Sequence, residues 1–173
     1  MPRDILKTLK AEHDLVRGLF DELNATTDRA LKKRGELLDK IKQNLLPHAK
    51  WEEIVFYPAF AERADRDGLQ THAEAVEEHK AVESTVIPDV EASDLGTPQF
   101  AGRAKVFGEM IDHHAGEEES TMFKMARKMF DAQERAALDE QYEEWKNSPA
   151  AANAMAGAEA KSAVKAAMKK LAR

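Results

Sequence analysis

The chain has 173 residues, 34% of them charged and 6% aromatic, with no cysteine, so disulfide frameworks, zinc fingers and thiolate iron–sulfur sites are excluded. That length suits one domain with a sizeable core plus an appendage, and abundant Ala, Leu, Glu and Lys favour helices. The net charge of −6 splits unevenly: residues 149–173 set five basic residues against Glu159 for +4, leaving −10 on the body, a balance that does not invite nucleic acid.

The opening Met1-Pro2-Arg3-Asp4-Ile5-Leu6-Lys7 has no uninterrupted apolar run, so a signal peptide or membrane span is not expected and the cytoplasm is the expected setting. In the first predicted helix Leu6, Leu9, Val16, Phe20 and Leu23 alternate steps of three and four, and His13 fills the vacancy. A polar turn at Asn24 to Asp28 follows, with Thr27 or Asp28 the expected N-cap of the next helix. That second helix runs Leu38, Ile41, Leu45, Val55, Ala59, with His48 and Glu52 in the gap; Pro47 and Pro58 should bend or disturb it. Asp65-Arg66-Asp67-Gly68 separates it from a third helix reading Ala75, His79, Val82, Val86. After a break at Ala92 to Pro98, the fourth reads Phe100, Ala104, Phe107, Ile111, His114, Glu118. Asp131 with Glu134 marks the start of a shorter fifth helix reaching about Lys146. Beyond Pro149 the chain is Ala-rich and Lys-dotted, with Val164, Met168 and Leu171 as a weak apolar stripe, a pattern that predicts a flexible or marginally helical tail.

The expected fold is therefore all-α: an up-down-up-down four-helix bundle over residues 1–130, an additional helix over 131–148 packed on or beside it, and the tail over 149–173.

Two segments repeat at an offset of 66: His13 as His79, His48 as His114, and Glu52 as Glu118. The neighbours repeat too, Glu12-His13 as Glu78-His79, His48-Ala49 as His114-Ala115, and Glu52-Glu53 as Glu118-Glu119. A His and a Glu four apart share one helix face, so two such pairs with two single histidines supply four imidazoles and two carboxylates to one interior. Carboxylates can bridge two ions while imidazoles cap each, leaving positions for water, an oxo bridge or a substrate. This donor set is richer in nitrogen than the ferritin-like Glu and Glu-x-x-His pattern, and it suits iron best, with manganese and zinc less favoured. A lone His on an apolar stripe is more often a hydrogen-bonded core residue, and His113 with Glu117 shows the same spacing out of phase. Yet two carboxylates on core stripes need compensation, and metal ions provide it.

These residues make the chain resemble the hemerythrin-like, His-His-Glu cation-binding domain family over about residues 4–130. The resemblance implies a four-helix bundle with a non-haem di-iron centre, oxo- or hydroxo-bridged, that meets dioxygen, hydrogen peroxide or nitric oxide. By position its metal ligands would be His13, His48, Glu52, His79, His114 and Glu118. Oxygen-carrying hemerythrins have a further His one turn after the third-helix His; here that place is Glu83, whose counterpart in the first repeat is Arg17. Glu83 is expected as an additional ligand or a partner of one, a departure that argues against simple reversible oxygen carriage. Glu53 and Glu119 are candidates for orienting ligands. Trp51, Phe56, Tyr57 and Met122 read as core that could wall the centre, and His72 and His113 as surface.

The expected function is binding of, and reaction with, a small oxidant, with catalase-like or nitric-oxide-consuming activity and a redox partner in view. The alternative is a non-catalytic oxygen- or iron-sensing or storage module; a purely structural metal ranks third.

Overall fold

The computed structural model describes residues 3–171, which form six helices and, among the described residues, no strand. They are α1 (Ile5–Asn24), α2 (31–61), α3 (66–91), α4 (98–129), α5 (Ala132–Lys146) and α6 (Pro149–Leu171). Side chains close the N-termini of five: Asp4 accepts from the Leu6 amide, Asp65 from Gly68, Thr97 from Phe100, Ser148 from Ala151, and Asp131 forms a capping box with Glu134. At α2 the expected cap is replaced. Ala30 holds that position with no side-chain bond, and Asp28 instead accepts from Arg34 Nη2 at 2.9 Å. Buried Arg34 also donates to Thr26 and to the Leu95 carbonyl, tying two connections together at that end.

Neighbouring helices run antiparallel. Between α1 and α2, His13 meets His48 while Glu22 meets Lys33; between α2 and α3, Lys50 meets Glu83 while Tyr57 meets His79. Between α3 and α4, His114 meets Glu78 while Arg103 meets Asp89; between α4 and α1, Arg17 meets Asp112 while His13 meets Glu119. Each of these four helices thus touches the two beside it.

Helices α2, α3 and α4 share a feature the periodicity did not announce. Each contains a five-residue π-helical turn, at Glu52–Phe56, Val82–Val86 and Glu118–Met122. A π turn inserts one residue, so everything after it shifts by one position around the helix. The expected core residues Val55 and Ala59 are accordingly only half-buried, while Phe56 and Phe60 are sealed. In α3 the inward place passes from Val86 to Ile87 for the same reason. Pro58 and Pro88 follow the first two π turns at the same distance, so each proline's missing donor falls where the regular ladder is already interrupted. Pro47, by contrast, lies inside the α-helical Leu31–Trp51.

The core has two clusters. One is largely aliphatic, built from Val16, Leu37, Ile41, Leu45, Ile87 and Ile111 with Phe20, Phe100 and Phe107; the other is aromatic, with Trp51, Phe56, Tyr57, Phe60, Phe123 and Tyr142. Helix α5 closes the aromatic cluster through Tyr142.

Residues 149–171, expected as a flexible or marginally helical tail, form a continuous helix lying on α2 and α3, and the weak apolar stripe is not its contact face. Val164, Met168 and Leu171 face solvent, whereas Ala151, Ala158, Ser162 and Ala166 are buried. Small residues let the backbones approach closely, and Ser162 Oγ donates to Glu91 at 2.6 Å while Lys169 pairs with Asp89 at 2.8 Å.

Candidate metal centre

The four antiparallel helices each turn at least one of the repeated residues inward. His13 comes from α1, His48 and Glu52 from α2, His79 from α3, and His114 and Glu118 from α4, all buried. The Nε2 atoms of His13 and His48 lie 3.0 Å apart, as do those of His79 and His114. Glu52 straddles the two pairs, with Oε1 3.1 Å from His48 Nε2 and Oε2 3.6 Å from His79 Nε2. Glu118 does the same, its Oε2 lying 3.3 Å from His13 Nε2 and 3.7 Å from His114 Nε2. The donors fall into two overlapping groups, His13–His48–Glu52–Glu118 and Glu52–His79–His114.

What faces outward fixes what faces inward. His48 Nδ1 lies 2.9 Å from Glu12, His114 Nδ1 2.6 Å from Glu78, His13 Nδ1 3.1 Å from Glu119 and His79 Nδ1 3.2 Å from Glu53. A carboxylate only accepts, so each Nδ1 carries a proton, and each imidazole in its metal-binding, neutral form turns an Nε2 lone pair to the centre. There the lone pairs meet carboxylate oxygens, so closeness to nitrogen gives no hydrogen bond: both Glu52 oxygens and Glu118 Oε2 are buried without a partner. Six electron-pair donors converging with too few protons between them are a poor polar core and a good cation site. The residues present therefore fit metal cations.

Without metal, protons must take that role. Burial alone would lower the His48 pKa, but the Glu52 charge and the Glu12 hydrogen bond outweigh it and hold it at about 10. His114 is likewise raised against burial by Glu118 and Glu78. Glu118 moves oppositely: burial would raise it, yet the His114 charge, with the neighbouring histidines, holds it well below the usual carboxylate range.

The outer ring repeats at the same offset of 66. Glu12 serves His48 as Glu78 serves His114, and Glu53 serves His79 as Glu119 serves His13. Such partners set tautomer and ring orientation. Glu53 and Glu119 were singled out from sequence; Glu12 and Glu78 were not, although the repeat contained them. A further layer of cations holds the ring: Lys50 donates to Glu53 at 2.8 Å, and Arg17 to Glu119 at 2.7 Å. Glu12 also accepts from Tyr142 at 2.6 Å and Lys146 at 3.1 Å, which brings α5 into the support of His48.

Glu83 stands outside both donor groups. Its carboxylate pairs with Lys50 rather than with Arg17, so it reaches His79 only through Lys50 and Glu53. Arg17 is engaged by Asp14, Asp112 and Glu119. Tyr57 marks a second difference between the two halves. Its hydroxyl donates to Glu118 Oε1 at 2.8 Å and lies 3.2 Å from His79 Nε2, whereas its counterpart, Phe123, has no hydroxyl and stacks on His13. Trp51, Phe56 and Met122 are buried in the aromatic cluster. His113 is exposed, and His72 is half-buried, edge-on to the Tyr57 ring. On the aliphatic side the four imidazoles border a cavity of about 270 Å³.

Comparison with known proteins agrees with this geometry. The model of the hemerythrin HHE cation-binding domain matches residues 4–126. The chain belongs to that family. A curated relative, a DNA nickase from Nostoc sp. (strain PCC 7120), is 27% identical over 143 residues, covering 82% of this chain and 37% of the relative. This hemerythrin-like chain thus spans little more than a third of that relative's length. No solved structure matches it. No helix among the described residues is long and apolar enough to cross a membrane.

Proposed function

We propose that this hemerythrin-like protein holds two iron ions through His13, His48, Glu52, His79, His114 and Glu118, inside an up-down-up-down arrangement of α1 to α4, and reacts there with a small oxidant. The observation that carries the reading is the convergence of four Nε2 atoms on carboxylate oxygens that have no hydrogen-bond partner. Bound iron would supply the redox chemistry toward hydrogen peroxide, dioxygen or nitric oxide. Manganese or zinc fits the same donors less well for that purpose.

The protein's own residues do the rest. Glu12, Glu53, Glu78 and Glu119 fix the tautomer of each imidazole, and Glu52 and Glu118 place negative charge between the two halves. Tyr57 keeps a hydroxyl proton at Glu118, on one side of the centre only. Aromatic side chains exclude water from the other end. Glu83 serves this reading as a distant partner of His79, not as a ligand. We place the protein in the cytoplasm and give it no membrane or nucleic-acid partner. Most of the Nostoc nickase lies outside the match, and the acidic body of this chain opposes a phosphate backbone. A redox partner would return electrons to the centre if turnover requires them.

The test is peroxide and nitric oxide consumption by iron-loaded protein beside Glu52→Ala and His114→Ala. Loss of activity in both variants supports the reading, and full activity in metal-free protein refutes it. Reversible binding without turnover would favour the sensing or storage alternative.

A further inference from the structure

The centre divides the core into unequal ends. Toward α5 the space is filled by Trp51, Phe56, Tyr57, Phe60 and Phe123. On the opposite side, between the centre and the aliphatic cluster, lies the cavity of about 270 Å³, walled by Leu45, Leu46, Val82, Ile87, Met110 and Ile111. Two small residues keep its inner end free: Ala49 and Ala115, each directly after a centre histidine and related by the repeat. The wall continues to Val106, Glu109 and His113, all exposed, so the cavity reaches solvent on the α4 side.

Its size does not match a diatomic or peroxide substrate. One water occupies about 30 Å³ of liquid, and an apolar cavity of about 150 Å³ already accepts benzene. A cavity approaching twice that volume has room for an aromatic ring bearing a short alkyl group. Charge narrows the class further. Glu53, Glu78, Glu83 and Glu109 lie around it against Lys50, which is itself engaged by Glu53 and Glu83. An anionic ligand such as a fatty acid or benzoate is therefore disfavoured, and a neutral one is accepted.

We propose that this cavity binds a neutral, apolar organic molecule about the size of a substituted benzene, seated between α2, α3 and α4 with one end against the four histidines. The proposal rests on the di-metal reading only for what the ligand meets at its inner end; binding itself needs the cavity alone.

The test is a titration of toluene into full-length protein, metal-free and metal-loaded in parallel, followed by calorimetry and by NMR shifts of the Met110 and Ile111 methyl groups. Saturable binding of one toluene per chain is expected, with benzoate at least about tenfold weaker. Ala49→Phe and Met110→Phe, which fill the inner end and the wall, should each weaken toluene about tenfold or more while helical content is retained. Should Ala49→Phe not fold, the partly exposed Met110 position decides. Absence of saturable binding, equal affinity for benzoate, or unchanged affinity in a folded filled variant overturns the proposal. A protein that binds toluene but no metal would refute the proposed function and leave this inference standing.

Discussion

The proton economy of the centre gives the sharpest consequence of its geometry. In metal-free protein His48 sits between Glu12 and Glu52, and its pKa is held at about 10 despite burial. At pH 7 a metal ion must therefore displace a proton that is about three pH units from leaving freely, a difference of about 4 kcal/mol. Metal affinity should improve about tenfold per pH unit for each proton released, and for His48 this slope should persist to about pH 10. An ordinary histidine, titrating near 6.5, would give a plateau above about pH 7.5. Glu12→Gln removes one of the groups that raise His48 and should move the plateau to lower pH. The assay is calorimetric titration with zinc, which has no redox chemistry, in buffers of different ionisation enthalpy, so that released protons are counted directly. The same shift carries a stability sign. A raised histidine pKa stabilises the metal-free fold fully below about pH 6.5, and that contribution is lost as pH rises through about 10. Metal affinity that levels off near pH 7.5, with no proton release above it, would refute the reasoning.

Three further consequences concern separate layers of the molecule. Glu78→Gln and Glu119→Gln, which remove charged acceptors from His114 and His13, should each lower metal affinity about 10–100-fold in chelator competition; unchanged affinity would deny them a positioning role. Tyr57→Phe takes a buried donor from Glu118 and should cost the metal-free protein about 1–3 kcal/mol by urea denaturation, with metal stoichiometry retained. Ala158→Leu forces a larger side chain under α6, where Ala158 is 3% exposed, and should cost about 1–3 kcal/mol; no change in the denaturation midpoint would show that α6 does not pack as described.

Much of the centre was legible because it repeats. The offset of 66 relates residues on alternate helices, and helical phase put all six inward, where the structure finds them. The same offset already held Glu12 and Glu78, but their role depends on which neighbouring helix each side chain reaches, and no single-helix periodicity reports that. The π turns escaped for a different reason. An inserted residue leaves no composition signal, and the sequence offers apolar residues at both registers, Val55 and Ala59 as well as Phe56 and Phe60. The prolines at 58 and 88 mark the interruption but not its kind. Helix α6 misled through its larger side chains: the packing face is the one with Ala and Ser, which hydrophobicity ranks low but which permits close backbone approach. Its place one turn after His79 makes Glu83 read as a ligand or a partner of one, whereas Lys50, on the adjacent helix and outside the repeat, captures it.

Elemental analysis of the desalted protein, expressed with ample iron, tests the central claim most directly. The account predicts about two iron ions per chain, with stoichiometry lost in Glu52→Ala while the chain stays helical. A folded protein carrying no stoichiometric metal, or one retaining its full metal content in Glu52→Ala, would contradict it.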